Sequence, residues 1–197
     1  MIINHDRRWL IITPPKTAST TLRKMFLDQR NSKEACCFSG YQHDATVPAG
    51  CHDYAVFATV RNPYERAVSL WWHRMWDMCK EDGIGRAGNR RKFPRDILDE
   101  YPFSQFVGWI TNTETPFFSW PCIRWFRFLP SYSILRVESL SSDLRRVNLM
   151  RAGDAVPHEN RTNHGPARSY YTADVQDAIW RLFRDDFQAF DYPEDLP

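Results

Sequence analysis

The sequence lacks the features that mark secreted, membrane-spanning or nucleic-acid-binding chains. Its five cysteines form no C-x-x-C pair and are odd in number, which favours free thiols in a reducing compartment over a disulfide framework. No hydrophobic run approaches transmembrane length, and the first apolar run is too short for the core of a signal peptide. A net charge of +2 is too small to indicate nucleic-acid binding by itself. We therefore expect a cytoplasmic protein without a membrane span.

What the sequence does contain is the composition of a folded domain. Hydrophobic residues make up 43% of the 197 residues and charged residues 25%, which argues against a disordered chain. This length suits one α/β domain, so we predict a single domain over residues 1–197. The chain is also rich in rings, with 8 Trp, 8 Tyr and 13 Phe. These rings fit both core packing and a cleft that stacks on a base or sugar, and the sequence leaves both roles open.

The stretch WLIITPPKTASTTLRKMF predicts a strand, a tight loop and a helix. Trp9 to Thr13 is a short apolar run with β-branched residues, which is typical of a strand buried on both faces. Pro14 and Pro15 end the strand, because neither can donate a hydrogen bond to a neighbouring strand. Apolar residues then recur at helical spacing, as at Leu22 and Met25.

The loop between this strand and helix has a composition suited to binding an anion. A helix N-terminus presents N–H groups and a partial positive charge. Lys16 adds a full charge, and hydroxyl groups add donors for phosphate or sulfate oxygens. The hydroxyl residues are Thr17, Ser19, Thr20 and Thr21. The loop has no glycine and is not a Walker A sequence, and an ordinary turn with capping hydroxyls and a solvated lysine stays open as the alternative.

A second apolar run, YAVFATV at residues 54–60, predicts another buried strand followed directly by a helix. Asn62 is a favoured N-cap, Pro63 is a favoured first helical residue, and the helix is predicted to reach about Cys79. Its predicted apolar face comprises Tyr64, Ala67, Val68, Trp71, Met75 and Met78. Arg61 lies at the carboxyl end of the strand, where ligands bind in open parallel sheets. Lys16 and Arg61 together therefore predict a site for two anionic groups.

The segments that follow the two strands resemble the nucleotide-binding segments of the sulfotransferases that use 3′-phosphoadenosine 5′-phosphosulfate (PAPS). TPPKTASTTL resembles their 5′-phosphosulfate-binding loop, and ATVRNPYERAVSLWW resembles their 3′-phosphate-binding segment. QHDAT, which contains His43, resembles the histidine-bearing segment of the glycan-modifying branch. The segment YSILRVESLSSDL and the ending from Asn160 to Tyr192 also resemble the family, so the likeness covers nearly the whole chain.

This resemblance implies a sulfotransferase-like fold, which is a P-loop-like, three-layer α/β/α domain with a central parallel sheet. It implies transfer of a sulfuryl group from PAPS to a hydroxyl or amine acceptor, and the glycan-modifying branch suggests a carbohydrate. Lys16 would stabilise the departing 5′-phosphate, and His43 would act as general base. The implied cofactor-binding residues are Lys16, Thr17, Ala18, Ser19, Thr20, Thr21, Arg61 and Ser69. No metal is implied, because the cations of the protein can neutralise the leaving group.

Other functions and other bases stay open at this point. A metal-dependent P-loop kinase or NTPase would place a magnesium-binding Asp after an apolar strand, where this chain has Arg61. A non-catalytic nucleotide-binding module would share both loops. The alternative bases are Asp44, Glu138, His52 and His164. A metal site formed by His43, Cys51 and His52 is disfavoured, because the spacing matches no standard site.

Four further segments carry less specific predictions. Gly83 to Arg95 is rich in glycine and basic residues, which fits a solvated loop or a rim that attracts an anionic acceptor. Phe93 to Asn112 has helical periodicity interrupted at Pro102. Thr115 to Leu129 is crowded with rings that fit either a core or an acceptor cleft. A last structural helix is predicted near Asp174 to Phe190.

Overall fold

The chain forms two compact units in a computed structural model that describes residues 1–27, 36–38, 43, 45–81, 99–129, 131–156 and 165–197. Unit 1 comprises Met1–Arg61 and Cys122–Glu159, and unit 2 comprises Asn62–Pro121 and Asn160–Pro197. The single domain over residues 1–197 stays a prediction.

Among the described elements, each of the first two helices follows a pair of strands, and helices predominate later. The described strands are β1 (Ile2–Asn4), β2 (Trp9–Ile12), β3 (Cys36–Phe38), β4 (Ala55–Val60) and β5 (Ser133–Arg136). The described α-helices are α1 (Ser19–Leu27), α2 (Pro63–Glu81), α3 (Phe103–Asn112), α4 (Pro116–Ser119), α5 (Cys122–Phe126), α6 (Leu140–Arg146), α7 (Ala173–Leu182) and α8 (Arg184–Ala189). A 3₁₀ turn spans Ala167–Tyr170.

The five strands that the structure describes form one sheet in unit 1, in the order β3-β1-β2-β4-β5. β4 is parallel to both β2 and β5, whereas β1 is antiparallel to both β2 and β3. β3 therefore runs in the same direction as β2, β4 and β5. The predicted α/β class with a central, mainly parallel sheet is confirmed. β1 was not predicted, because a strand of three residues is too short to show a hydrophobic pattern of its own.

Both faces of β2 are buried, as its apolar composition predicts. Trp9 and Ile11 face a cluster that includes Leu22 of α1 and apolar residues of α6. Leu10 and Ile12 alternate with them on the opposite face and have no exposed surface. Burial of a sheet on both faces is the pattern that a three-layer arrangement requires.

Helix α2 buries the face that its apolar periodicity predicts, and this face forms part of the core of unit 2. Its buried members are Tyr64, Ala67, Val68, Trp71 and Met75. They pack against residues of α3 and α7, and Met78 at the end of the face is half-buried. Helix α3 begins at Phe103, directly after the predicted interruption at Pro102. The part of that segment between residues 93 and 98 lies outside the described residues.

The prediction of one final helix is wrong, because the segment forms two helices, α7 and α8, that meet at Phe183. The backbone of Phe183 has φ −111° and ψ 21°, which is not helical. Its carbonyl accepts hydrogen bonds from the N–H groups of Asp186 (2.9 Å) and Phe187 (3.2 Å). The Phe183 side chain is fully buried, so core packing fixes the position of the break, and the apolar periodicity alone does not show it.

Unit 2 also buries a charged pair that the periodicity of α2 does not predict. Arg66 has no exposed surface, and its Nη2 donates a hydrogen bond to the carbonyl of Trp120 at 3.0 Å. Its Nη1 lies 3.9 Å from Oδ2 of Asp186, which is also buried. The guanidinium carbon is 5.1 Å from the ring centroid of Phe183. A carbonyl, a carboxylate and a ring therefore surround the buried cation.

We expect Arg66→Ala to lower the free energy of unfolding by about 3–5 kcal/mol, because it leaves the buried Asp186 carboxylate without its cation. Urea unfolding measures this change. The matched control is Arg181→Ala, which removes the exposed ion pair of Arg181 with Asp177 (2.9 Å), worth about 0.2–1 kcal/mol. Equal effects of the two substitutions would contradict a structural role for the buried pair.

Candidate anion-binding site

The carboxyl ends of β2 and β4 lie side by side in unit 1, and each end leads into a predicted anion-binding segment. The strands pair in parallel with Ile12 opposite Ala58. The loop formed by residues 13–18 follows β2 and leads into α1 at Ser19. Arg61, which is half-buried, follows directly after β4. Lys16 and Arg61 therefore belong to segments that leave the same edge of the sheet, as the sequence predicts.

The loop takes a backbone conformation that glycine usually supplies, although it contains no glycine. Lys16 and Ala18 have positive φ angles of 66° and 68°. Residues with a Cβ atom rarely adopt this region, where such strain costs of the order of 1–3 kcal/mol. Strain of this kind persists where the surrounding structure fixes it, and it is concentrated at ligand-binding sites. No sequence signal predicts these angles, since neither position is a glycine.

Thr17, between these two residues, holds the loop in place. It has no exposed surface. Its Oγ1 donates a hydrogen bond to the carbonyl of Pro14 at 2.7 Å, and its backbone N–H donates to the same carbonyl at 3.3 Å. Both donors of Thr17 are therefore used within the loop.

Thr59 of β4 completes this arrangement, and it is a residue that the sequence analysis missed. Its Oγ1 lies 2.6 Å from Oγ1 of Thr17 and 3.4 Å from the carbonyl of Ile12. Because Thr17 donates its hydroxyl hydrogen to Pro14, Thr59 is the donor in the hydroxyl pair. A hydroxyl residue next to the end of an otherwise apolar strand was the signal that could have identified it.

The first turn of α1 supplies the remaining donors of the loop. The N–H of Leu22 donates to the carbonyl of Ala18 at 3.0 Å, so the N–H groups that precede it have no acceptor within the helix. Among the hydroxyl residues, Thr20 is exposed, and Ser19 and Thr21 are 9% and 8% exposed. Lys16 is half-buried. These groups form an electropositive N-terminus of the kind that binds phosphate and sulfate.

Helix α2 starts with the cap that the sequence predicts. Oδ1 of Asn62 accepts hydrogen bonds from the N–H groups of Tyr64 (3.0 Å) and Glu65 (3.3 Å), and Pro63 is the first helical residue. Ser69 lies on α2 and is buried. Arg61 belongs to unit 1 and Ser69 to unit 2, and their joint contact with one phosphate stays a prediction.

His43 lies against the loop that carries Lys16. Its Nδ1 is 2.7 Å from the carbonyl oxygen of Thr13. Because a carbonyl oxygen can only accept, Nδ1 carries the hydrogen, and in a neutral ring Nε2 is then the basic nitrogen. The half-buried ring also makes an edge-to-face contact with Trp125 of α5. A histidine held in this way can remove a proton from a group that reaches Nε2.

The other segments singled out by the sequence divide between core, surface and undescribed residues. Phe117 and Phe118 pack against the core of unit 2, and Phe126 is buried in unit 1. Of the alternative bases, Glu138 and His52 are exposed. Asp44, His164 and the basic segment from Gly83 to Arg95 lie outside the described residues.

The model of the sulfotransferase family matches residues 1–193 of the chain. Because this match covers almost the whole length, the chain belongs to the sulfotransferase family and is a transferase of sulfuryl groups. A search of the curated proteins and a search of the solved structures each found no significant match. In the part of the chain that the structure describes, no helix combines the length and the apolar character needed to cross a membrane.

We expect Thr59→Val to lower the free energy of unfolding by about 1 kcal/mol, because it removes one buried hydrogen bond at nearly constant volume. Thermal and urea unfolding measure the loss. Thr59→Ser keeps the hydroxyl and serves as the control, with a smaller effect. A valine variant as stable as the wild type would show that the hydroxyl pair does not stabilise the loop.

Proposed function

We propose that the protein transfers a sulfuryl group from PAPS to a hydroxyl or amine acceptor, with a carbohydrate as the preferred acceptor class. The observation that carries this proposal is the placement of one lysine, one helix N-terminus and one oriented histidine around a single loop. Membership of the sulfotransferase family supports the reaction type. The resemblance of the two loops to donor-binding segments supports PAPS as the donor.

The donor-binding groups fit an anionic phosphosulfate. PAPS supplies a sulfuryl group that is activated by its bond to a 5′-phosphate. Lys16 would neutralise the negative charge that develops on the leaving phosphate oxygen. The backbone of Ala18, the first N–H groups of α1, and the hydroxyls of Ser19, Thr20 and Thr21 would bind the phosphosulfate. Thr17 would hold the loop, since both of its donors are bonded to Pro14.

Arg61 and Ser69 are proposed to bind the 3′-phosphate and thereby to select PAPS over ATP. A guanidinium binds phosphate oxygens in pairs with charge-assisted hydrogen bonds. Arg61 follows β4, whose neighbour β2 leads into the Lys16 loop. Placement on adjacent strand ends suits a ligand that carries charge at both its 5′ and 3′ positions.

His43 is proposed as the general base. In the transfer, Nε2 of His43 would accept the proton of the acceptor hydroxyl. The acceptor oxygen would form a bond to sulfur as the bond between sulfur and the 5′-phosphate oxygen breaks. The in-line geometry of this step depends on positioning, which enzymes supply by holding both reactants. Because Nδ1 donates to the carbonyl of Thr13, Nε2 is the basic nitrogen of the neutral ring.

The donor is tested by thermal unfolding with PAP, the desulfated product of PAPS. At a hundredfold excess over its dissociation constant, PAP should stabilise the protein by about 2.7 kcal/mol, or roughly 5–10 °C. This shift should require no metal, and Arg61→Ala should abolish it. The control is Arg151→Ala, which changes an exposed arginine of unit 1 and should keep the shift. A shift produced only by ATP with magnesium would overturn the proposal in favour of a kinase or NTPase.

The base is tested by sulfuryl transfer from radiolabelled PAPS to a panel of hydroxyl- and amine-bearing sugars. His43→Ala should lower kcat by about 10²–10⁴-fold, which is the usual contribution of a general base. The PAP-induced thermal shift should remain, because His43 is not assigned to the donor. His52→Ala changes an exposed histidine of unit 1 and should keep wild-type kcat. Unchanged transfer in the His43 variant would remove this residue from the mechanism.

A further inference from the structure

Two contacts of His43 within unit 1 bear on the orientation of its ring. The first is the hydrogen bond of Nδ1 to the carbonyl of Thr13 at 2.7 Å. The second is the contact with Trp125, whose ring centroid lies 6.4 Å from that of the imidazole with 72° between the ring planes. Trp125 is half-buried and lies on α5.

These two contacts restrain different motions of the imidazole. One hydrogen bond fixes the direction of the Nδ1–H bond but leaves the ring able to turn about that direction. A second aromatic ring at an edge-to-face angle opposes this turn, because the favourable quadrupole contact is lost when the planes rotate. Together they restrain both the position and the plane of the ring.

We propose that Trp125 is a positioning residue that, with the carbonyl of Thr13, holds His43 as the Nδ1-protonated tautomer with Nε2 as its basic nitrogen. The catalytic meaning of this inference rests on the proposed function, in which Nε2 accepts the proton of the acceptor. The tautomer itself follows from the geometry of His43 and is independent of the reaction.

The strength of the aromatic contact sets the size of the expected effect. An edge-to-face aromatic pair stabilises a structure beyond the effect of burying its rings. The added stabilisation corresponds to about a two- to tenfold change in an equilibrium constant. Without Trp125, the ring loses one restraint on its plane, and the tautomer protonated at Nε2 becomes more populated. A smaller fraction of the protein would then present a basic Nε2 to the acceptor.

The tautomer is measured by NMR of the full chain labelled with ¹⁵N-histidine, through the two-bond couplings between ring protons and nitrogens. Wild-type His43 should show a protonated Nδ1 in its neutral state. Trp125→Leu should produce a mixture of tautomers, and Trp125→Phe should restore the wild-type pattern because it keeps an aromatic ring. The control is Phe26→Leu, which removes another edge-to-face contact of unit 1, that of Phe26 with Trp9 at 5.1 Å. It should leave the His43 signals unchanged.

The catalytic consequence is measured as a separation of kcat from the KM for PAPS. Trp125→Leu should lower kcat by about two- to tenfold and leave the KM for PAPS and the PAP-induced thermal shift unchanged. Trp125→Phe should recover most of kcat. A folded leucine variant with the wild-type tautomer and wild-type kcat would overturn the inference, and so would an equal loss in both variants.

The failure of this inference and the failure of the proposed function give different results. If His43→Ala leaves transfer unchanged, the proposed base is wrong, while the NMR result for Trp125 still tests the tautomer. If His43→Ala abolishes transfer and Trp125→Leu changes neither the tautomer nor kcat, the base stands and the positioning role of Trp125 is wrong.

Discussion

The parallel pairing of β2 with β4 is the constraint on which the candidate site depends. It brings two carboxyl strand ends together, one leading into the Lys16 loop and the other into Arg61. The hydroxyl pair of Thr17 and Thr59 then ties the loop after β2 to the neighbouring strand. A loop tied to the sheet at this point cannot move away from the strand end that carries Arg61. Hydrogen bonds between buried groups thus restrain the spacing between the two cationic segments of unit 1. Such buried bonds open to water only when the surrounding structure opens.

The strained backbone of the loop has a physical explanation in the same contacts. Lys16 and Ala18 adopt positive φ angles on either side of Thr17, and Thr17 is the residue whose two donors converge on Pro14. The two hydrogen bonds from Thr17 to Pro14 close a tight turn. The chain changes direction there through the positive φ angles of Lys16 and Ala18. Burial of Thr17 offsets the strain at its neighbours. The loop is therefore already shaped before an anion binds, which lowers the entropic cost of binding.

Much of the site could be predicted from local sequence, because its elements begin and end at residues with strong local preferences. The apolar runs predict β2 and β4, and Asn62 and Pro63 predict the start of α2. The features that could not be predicted depend on contacts between residues far apart in the chain. They are the left-handed residues of a loop without glycine, the hydroxyl pair with Thr59, the break at Phe183, and the burial of Arg66 beside Asp186. In each case tertiary packing overrides the preference of the local sequence.

The candidate site has two parts with different proposed roles. The loop is proposed to bind the donor, and His43 is proposed to deprotonate the acceptor. His43 donates to a backbone carbonyl, that of Thr13, so this link does not depend on which side chain occupies that position. The hydrogen bonds that shape the loop link Thr17 to Pro14 and to Thr59, whereas His43 bonds to Thr13, the first residue of the loop. In the proposed function, substitutions around the imidazole would therefore mainly change how an acceptor is placed and deprotonated, and the hydrogen bonds of Thr17 would still shape the loop. An arrangement of this kind allows the acceptor side of a transferase to change while its donor side stays the same.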